Sequence, residues 1–400
     1  MPKLSLRAQN MPASPIRKLV PFAEEARARG VHVHHLNIGQ PDIETPRAMI
    51  EAYRRFNAKV LAYGPSAGLA ELREAVARYY DRLGHPVKAA DVHVTAGGSE
   101  ALIFAFGVAC EPGDEILVFE PFYANYNAFA RLLGAELRPV MSSSSNGFHL
   151  PPDATIRAAI TSRTRALVIG SPGNPTGTVY TAAEMERLGA IAREHDLFII
   201  SDEVYREFVY DGSAATSALA IPGADDRVII VDSVSKRFSA CGARIGFTIC
   251  RNAEINSAIT RLCFARLCPA TVDQYAAIAA YELPPSYFAP VIAEYKRRRD
   301  VLVEGLRQIL GVRTYLPEGA FYTIIDLPID DADAFCLWLL REFQHQGQTV
   351  MMAPASGFYA TAGAGKTEAR IAYVLNVDAL EESLQVLKVA LERYPRRVAR

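Results

Sequence analysis

Four loops of this chain combine glycines with side chains of types that carry amine, acid and phosphate chemistry. Their members, in chain order, are Gly98, Ser99, Asn174, Asp202, Tyr205, Ser233, Lys236 and Arg244. Together they supply an amine nucleophile, a carboxylate, a phenol, an amide and a glycine-rich helix start that can bind phosphate. The chemistry to be explained is therefore one in which an amine and an acid act beside a bound phosphate.

No single loop identifies that chemistry, because each has an ordinary structural explanation. A Gly-Gly pair is common where a strand turns into a helix, and an isolated lysine in a loop is usually solvated. Lys236, however, follows a buried β-rich run, where open α/β sheets bind their ligands. The combination predicts a pyridoxal phosphate site, which needs a Schiff-base lysine, an acid for the pyridine nitrogen, and donors for the ring oxygen and the phosphate.

Strand and helix patterns alternate from about residue 90 to residue 250 and must position these loops. Short β-rich runs occupy residues 91–95, 115–119, 166–169, 197–200, 228–231 and 245–249. Residues 182–194, between two of these runs, have helical periodicity. The alternation predicts an α/β fold with a mostly parallel sheet between helices, so that the four loops meet at one edge of the sheet.

The C-terminal part has a different pattern and predicts a second, smaller α+β domain. We expect a long charged helix over 285–310, strands over 314–327 and 370–375, and helices over 331–344 and 380–393. The expected division is an N-terminal arm at 1–44 that packs with the small domain, a large domain at 45–284 and the small domain at 285–400.

Composition argues against several classes of partner. The 43 Lys and Arg residues against 44 Asp and Glu leave a formal net charge of −1, so no basic excess points to nucleic acid. No apolar stretch approaches the roughly 20 residues of a membrane-spanning helix. The six cysteines form no CxxC pair and have no metal-site spacing. We therefore expect a cytoplasmic protein that acts on small molecules, without a metal, nucleic acid or membrane partner.

Four motifs in consistent order resemble the class I/II aminotransferases, the aspartate aminotransferase family. They are Tyr-Gly-Pro-Ser-Ala-Gly at 63–68, Gly-Asn-Pro-Thr-Gly at 173–177, Asp-Glu-Val-Tyr at 202–205 and Ser-Val-Ser-Lys at 233–236. The resemblance runs from about residue 37 to residue 370. It implies fold type I, pyridoxal phosphate as cofactor, and a homodimer whose shared active sites lie between a large and a small domain.

The resemblance also implies roles at the reactive end of the cofactor. Lys236 would form the Schiff base and, once freed, transfer the substrate proton as general base and acid. Asp202 would pair with the pyridinium nitrogen and keep it protonated. Tyr205 and Asn174 would donate to the ring oxygen. Tyr123 would stack on the ring, although a core aromatic is the commoner fate of a tyrosine.

Further roles concern the phosphate and the substrate carboxylate. Expected phosphate ligands are Gly98, Ser99, Ser233, Ser235 and Arg244, together with Tyr63 from the other subunit. Ser235 could equally face away from the phosphate, and Tyr63 could be a core aromatic. Arg370 would bind the substrate α-carboxylate with its planar guanidinium, helped by Asn174 and by the backbone of Gly39. The alternative for Arg370 is an exposed strand arginine.

Residues 360–367 fit a relaxed Walker A pattern, Ala-Thr-Ala-Gly-Ala-Gly-Lys-Thr. A nucleotide-binding loop follows a buried strand and opens a helix. Here a proline-containing segment precedes the glycines, and a β-branched, aromatic run follows them. We therefore predict a surface loop leading to Arg370 and no nucleotide site.

The substrate is the least determined part of the prediction. Many bacterial relatives with aspartate activity carry lysine where this chain has Ser99, and losing one charged hydrogen bond costs roughly 1.5–3 kcal/mol. Arg261 or Arg266 could supply the missing cation, whereas Glu100 could favour a basic substrate. Aspartate or glutamate remains the leading expectation. The alternatives are an aromatic or basic amino acid, or a lyase or oxidase reaction on the same fold.

Overall fold

The structure, a computed structural model, describes residues 2–212 and 214–398 of the chain. The strands are β1 (His32–His35), β2 (Val92–Thr95), β3 (Glu115–Glu120), β4 (Glu136–Met141), β5 (Thr164–Gly170), β6 (Phe198–Asp202), β7 (Val228–Ser233), β8 (Gly246–Ile249), β9 (Arg313–Thr314), β10 (Tyr322–Asp326), β11 (Gln348–Met351), β12 (Ala353–Pro354) and β13 (Glu368–Ala372). The helices are α1 (Leu6–Gln9), α2 (Val20–Ala28), α3 (Arg47–Arg55), α4 (Ala70–Arg82), α5 (Gly98–Ala109), α6 (Asn125–Leu133), α7 (Asp153–Ala159), α8 (Ala182–Glu194), α9 (Val234–Arg237), α10 (Ala253–Arg266), α11 (Thr271–Tyr281), α12 (Phe288–Arg307), α13 (Ala332–Arg341) and α14 (Val377–Arg393). Short 3₁₀ helices occupy Ala89–Asp91, Ser144–Asn146, Ala218–Ala220, Cys241–Ala243, Pro285–Tyr287 and Ala355–Phe358.

The central sheet confirms the predicted α/β fold. Its strand order is β2-β8-β7-β6-β5-β3-β4, and β8 alone runs antiparallel to its neighbours. Both faces of the sheet are buried, because alternate residues of one strand enter different core clusters. In β3, Leu117 and Phe119 pack on one face, and Ile116 and Val118 pack on the other. This explains the continuous apolar runs of the inner strands.

One strand of the sheet, β4, was missing from the sequence prediction, whereas the six predicted β-rich runs are confirmed as β2, β3, β5, β6, β7 and β8. The missing strand lies at the sheet edge and pairs only with β3. It contains Glu136, Arg138 and Pro139 and is half exposed. Charged residues and proline are typical of edge strands, which lack the apolar run that identifies a buried one.

A second sheet lies in the C-terminal part of the chain, with the antiparallel order β12-β13-β10-β9. The helices predicted there are confirmed as α12, α13 and α14. The prediction of a single strand over 314–327 is wrong, because residues 315–321 separate two strands, β9 and β10. That segment leaves the sheet to contact the larger unit, where Glu318 N and Gly319 N both donate to the carbonyl of Gly177.

The N-terminal arm packs with the C-terminal part of the chain. Strand β1 pairs in parallel with β11, and α2 contacts α13. The arm residues Leu19, Ala23 and Val33 belong to the same apolar cluster as Leu339 and Val350. These contacts support the division that we propose, an arm at 1–44, a large domain at 45–284 and a small domain at 285–400. None of the helices described is long and apolar enough to cross a membrane.

Candidate active site

The ends of several parallel strands carry the candidate residues to one edge of the central sheet. Asp202 is the last residue of β6, and Lys236 lies in the short helix α9 that follows β7 directly. Gly98 begins α5 after β2, and Asn174 lies in the loop after β5. Tyr123 follows β3. The fold therefore brings together the loops that the sequence singled out.

Lys236 is half-buried and is held at the start of a capped helix. Ser233 caps α9, since its hydroxyl accepts a 3.0 Å hydrogen bond from the Ser235 amide. The Lys236 Nζ donates to the carbonyl oxygen of Gly39 at 2.8 Å and lies 3.6 Å from the Cys241 Sγ. A carbonyl and a thiol satisfy this amine, and no carboxylate within the described chain forms an ion pair with it. The contacts therefore position the Lys236 amine without pairing it with a counterion.

Asp202 is a buried acid whose partners are neutral. Its Oδ2 accepts a 2.9 Å hydrogen bond from the Tyr126 hydroxyl, and its Oδ1 accepts a weaker one from the Val204 amide at 3.4 Å. Burial raises the pKa of Asp202 to about 6, against the opposing effects of Tyr126, Val204 and Lys236. A cationic partner would stabilise the charged form of such a carboxylate. Sequence reasoning missed Tyr126, which lies on α6 three residues after Tyr123.

Tyr205 faces a tyrosine from the second sheet. The hydroxyls of Tyr205 and Tyr322 are 2.8 Å apart, and their rings meet edge to face at 5.5 Å. Burial, reinforced by Tyr322, raises the pKa of Tyr205 well above its usual value, so the phenol stays protonated and can donate. Sequence reasoning missed Tyr322, although the Gly-Ala-Phe-Tyr sequence at 319–322 places a tyrosine at a strand start.

Arg370 is fully buried in β13 and lacks a carboxylate partner among the residues described. Its Nη1 donates to Asn174 Oδ1 at 3.0 Å, its Nη2 donates to the Asn37 carbonyl, and its buried Nε has no acceptor. Two rings flank the guanidinium, with centroids at 4.5 Å for Tyr322 and 5.0 Å for Phe358. Burial lowers the pKa of Arg370. The alternative of an exposed strand arginine is wrong.

The start of α5 and Arg244 form a second cationic surface. Gly97, which precedes Gly98, has a φ of +78°, and a Cβ on it would overlap the Arg244 guanidinium. Arg244 is exposed and donates to the carbonyls of Cys241 at 3.0 Å and Ala96 at 3.4 Å. The backbone amides of a helix start beside an arginine are a suitable site for a phosphate. Ser99 is half-buried in the first turn of this helix.

The two serines before Lys236 bond mainly to each other and to the backbone. The Ser233 hydroxyl can donate to either of two acceptors, the Ser235 hydroxyl at 2.8 Å or the Ile245 carbonyl at 3.0 Å. Both serines are buried. Their hydroxyls therefore shape the loop that carries Lys236, and neither contact indicates which serine faces a phosphate.

The two tyrosines with uncertain roles have opposite environments. Tyr123 is largely buried, meets Tyr126 edge to face at 5.4 Å, and its hydroxyl accepts from Asn125 at 3.0 Å. Burial and the nearby Asp202 raise its pKa to about 12. Tyr63 is 82% exposed, so the core-aromatic alternative is wrong for this residue. A large exposed aromatic side chain is typical of a surface that binds a partner.

The two arginines suggested for a distal carboxylate also differ. Arg266 forms a 2.8 Å ion pair with Glu100 and donates to the carbonyls of Ser66 and Val94. Arg266 and Glu100 therefore neutralise each other and hold the end of α10 against the start of α5. Arg261 is exposed and donates to Ser257 at 3.1 Å, one turn earlier on its own helix.

The glycine-rich segment 360–367 is a loop between the 3₁₀ helix Ala355–Phe358 and β13. It opens no helix, which confirms the surface-loop prediction. Glu120, at the end of β3, accepts from the amides of Ala360 and Thr361 and from the Thr361 hydroxyl at 2.6 Å. The loop thus attaches the strand bearing Arg370 to the strand that precedes Tyr123.

Comparisons with known proteins agree with this geometry. The sequence profile of the family described as aminotransferase class I and II matches residues 31–387. The chain belongs to the class I and II aminotransferases. The aspartate/prephenate aminotransferase of Thermus thermophilus is 36% identical over 329 residues, which cover 81% of this chain and 84% of that protein.

Two further similarities extend over nearly the whole length of this aminotransferase. Aromatic-amino-acid aminotransferase 2 of Thermococcus litoralis is 32% identical, covering 97% of this chain and 98% of its own. A solved structure, a single mutant of Thermus thermophilus aspartate aminotransferase, superposes with a TM-score of 0.89 at 33% identity and covers 98% of this chain and 100% of that one. Class I and II aminotransferases are pyridoxal phosphate enzymes of fold type I.

Proposed function

We propose that this aminotransferase binds pyridoxal phosphate at Lys236 and exchanges the amino group between an L-amino acid and a 2-oxo acid. One observation carries the proposal: within the described part of the chain, the buried acid Asp202 and the buried cation Arg370 form no ion pair, and both lie at the edge where Lys236 lies. Burying an unpaired charge is costly, so such groups are retained where a ligand completes them.

The residues present fit the cofactor at each of its polar groups. Asp202 would pair with the protonated ring nitrogen, because a cation there favours the charged carboxylate that burial disfavours. Tyr205 and Asn174 would donate to the ring oxygen, and Tyr123 would stack against the ring. When bound, pyridoxal phosphate supplies an aldehyde that condenses with amines and a ring that accepts electrons from the substrate Cα.

Lys236 and Arg370 would act on the substrate. Arg370 binds the α-carboxylate, with its two flanking rings holding the guanidinium plane and the backbone of Gly39 close by. The Lys236 Nζ, once free, would take the proton from the substrate Cα and return it to C4′ of the cofactor. The contact from Lys236 to the Gly39 carbonyl keeps this amine on the same side as the bound carboxylate.

The phosphate end would be bound by Gly98, Ser99, Arg244 and the Ser233–Ser235 loop, and by Tyr63 from a second copy. Exposed apolar side chains accompany Tyr63, namely Val60, Leu61, Phe264 and Leu267, which are 75%, 70%, 61% and 55% exposed. Exposed groups of this size mark protein interfaces. A cytoplasmic homodimer with shared active sites therefore completes the proposal.

Aspartate or glutamate is the leading substrate, and the Thermus thermophilus relative is an aspartate/prephenate aminotransferase. Glu100 and Arg266 form an ion pair with each other, so neither charge is free to bind a substrate side chain. This pairing weakens the case for a basic substrate, and it leaves Arg261 as the candidate that binds a distal carboxylate. Aromatic substrates are the second candidate. Tyr322 and Phe358, which flank Arg370, place apolar surface beside the α-carboxylate site.

A half-reaction screen tests the proposal. The protein is loaded with pyridoxal phosphate, and single amino acids are added without an acceptor while the absorption spectrum is followed. Conversion to the pyridoxamine form with one equivalent of oxo acid is the expected result, and the fastest donor identifies the substrate class. Continued ammonia release, or oxygen consumption, would instead establish a lyase or oxidase. Lys236→Ala is the control, and retention of the wild-type absorption band by this variant would contradict the cofactor assignment.

A further inference from the structure

Tyr322 occupies a position between the two halves of the proposed site. It lies at the start of β10 in the second sheet, and its side chain is 2% exposed. Its hydroxyl is 2.8 Å from that of Tyr205, which follows a strand of the central sheet. Its ring lies under the guanidinium of Arg370 at 4.5 Å. One side chain thus touches both the proposed donor to the cofactor and the proposed carboxylate-binding group.

The pairing of β10 with β13 explains the contact with Arg370. In this antiparallel register Ile324 faces Arg370, and Tyr322 faces Ala372. Tyr322 and Arg370 are therefore diagonal neighbours, which long and aromatic side chains can bridge. A cation over an aromatic face gains roughly 0.5–2 kcal/mol, the larger value where both are desolvated. The ring of Tyr322 fixes the plane in which Arg370 presents its donors.

The 2.8 Å distance allows either hydroxyl of the Tyr205–Tyr322 pair to donate, so the direction depends on what else Tyr205 binds. The Gly39 carbonyl is 3.5 Å from the Tyr322 hydroxyl, too long for a good hydrogen bond, and it already accepts from Lys236 at 2.8 Å. The Tyr205 oxygen, at 2.8 Å, is the better acceptor. When Tyr205 donates to the cofactor ring oxygen, as the proposed function has it, its own oxygen is the acceptor left for the Tyr322 hydroxyl, and Tyr322 donates to Tyr205.

The environment of Gly39 is consistent with a fixed place for this hydroxyl. A Cβ on Gly39 would overlap the Tyr322 hydroxyl, so a glycine at this position leaves the space that the hydroxyl occupies. The backbone of Gly39 is also expected to contact the substrate carboxylate. The structure adds a second reason for a glycine here, close packing against Tyr322.

We propose that Tyr322 is a positioning residue with two separable actions, its hydroxyl polarising Tyr205 and its ring orienting Arg370. The inference rests on the proposed function, in which Tyr205 donates to the cofactor ring oxygen. A donor that itself accepts a hydrogen bond is a stronger donor. The hydroxyl therefore affects the electronic state of the bound cofactor, and the ring affects the affinity for carboxylates.

Two variants separate these actions. Tyr322→Phe removes the hydroxyl and keeps the ring. Phe358→Leu removes the other ring that flanks Arg370, at 5.0 Å, and leaves the tyrosine pair intact. For each holoenzyme, a pH titration of the cofactor absorption band gives the spectroscopic pKa of its Lys236 linkage. The half-reaction with the fastest donor gives the apparent dissociation constant and the limiting rate.

We expect opposite results from the two variants. A weaker donor to the ring oxygen favours the protonated linkage, so Tyr322→Phe should raise the spectroscopic pKa by about 0.5–1 unit, with substrate affinity within about twofold of wild type. Phe358→Leu should leave that pKa unchanged and weaken substrate binding about 3- to 30-fold. Tyr322→Leu, if it folds, should show both effects.

The outcomes distinguish this inference from the proposed function. Absence of a Lys236-dependent absorption band in wild type would overturn both. A normal wild-type band with an unchanged or lowered pKa in Tyr322→Phe would overturn the hydroxyl's action alone. A general structural role for Tyr322 would lower thermal stability and cofactor occupancy together without moving the pKa, which would also contradict the inference.

Discussion

Two buried arginines, Arg370 and Arg237, have opposite surroundings in this aminotransferase. Arg237 follows Lys236 directly, is 1% exposed, and forms two hydrogen bonds with the equally buried Asp232, at 2.8 and 3.0 Å. It also donates to Tyr281. Arg370 is just as buried, but among the described residues it bonds to an amide and a carbonyl and has no carboxylate partner.

The difference separates a structural ion pair from a binding group. Burial lowers the pKa of Arg370 with no carboxylate to oppose it. Burial acts on Arg237 in the same direction, but Asp232, Tyr79, Tyr281 and Glu207 together outweigh it, and the pKa of Arg237 is raised. A buried charge with a counterion anchors the helix that carries Lys236. For the buried charge without one, at Arg370, we propose that a substrate carboxylate supplies the missing partner.

The first test removes the unpaired arginine. In Arg370→Ala we expect kcat/KM to fall about 30- to 5,000-fold for every amino acid, because all share the α-carboxylate, and KM should carry most of the loss. Steady-state kinetics with aspartate, glutamate and an aromatic amino acid measure the effect. Altered substrate preference with overall efficiency preserved would contradict the assigned role. The folded state should lose little stability, since the variant removes a buried charge that has no counterion.

The second test breaks the paired arginine. Asp232→Asn removes the carboxylate that hydrogen-bonds Arg237 and leaves Glu207, 3.7 Å from its Nε, as the remaining counterion, and we expect the free energy of unfolding to fall by about 3 kcal/mol. Denaturant unfolding of wild type and variant, with equal cofactor loading, measures the change. The matched comparison is Arg370→Met, a chain of similar length at the unpaired site. If Arg370→Met were as destabilising as Asp232→Asn, the distinction between the two arginines would be lost.

This contrast also shows how far the sequence could predict the molecule. Inner strands such as β5 and β7 were visible because burial on both faces requires a continuous apolar run. The edge strand β4 was not, because solvent tolerates its charges and proline. Motifs identified Lys236 and Arg370 as candidate site residues, whereas no motif indicates a role for Arg237, the residue after Lys236. Its role depends on Asp232 and Tyr281, and that contact is set by packing and not by a local pattern.

The same reason explains why Tyr126 and Tyr322 were missed. Each acts through one contact between segments that are distant in sequence, Tyr126 with Asp202 and Tyr322 with Tyr205. A tyrosine at a helix or strand start has many possible fates. Nothing in the adjoining residues indicates that its hydroxyl reaches a functional acid or phenol. Register and tertiary packing supply that information.

The third test uses Asp202, the acidic counterpart of Arg370. Burial raises its pKa to about 6, so between about pH 4 and pH 6 the folded apoprotein holds a proton that the unfolded chain has released. The contribution of Asp202 to stability therefore decreases as pH rises, by about 2 kcal/mol between about pH 4.5 and pH 7.

The difference in unfolding free energy between the wild-type apoprotein and Asp202→Asn isolates this group from others that titrate in the same range. We expect that difference to shift against the wild type by about 2 kcal/mol over the interval. Cofactor binding should reverse the trend, because a protonated ring nitrogen favours the charged carboxylate. A pH-independent difference in the apoprotein would show that Asp202 is already paired, unlike Arg370.

The smallest expected effect comes from replacing the structural pair as a whole. In the double variant Asp232→Leu with Arg237→Met, both members of the pair are removed, Glu207 keeps its hydrogen bond from Tyr79, and apolar side chains of comparable length fill the space. Such exchanges are often neutral or stabilising, so the free energy of unfolding should lie within about 1 kcal/mol of wild type, well above that of Asp232→Asn. A double-mutant cycle by denaturant unfolding measures the coupling. If the double variant were as unstable as the single one, the pair would act through its polar contacts with Tyr281 and not through mutual neutralisation. No such compensation is expected at Arg370, because the carboxylate that we propose as its partner belongs to the substrate.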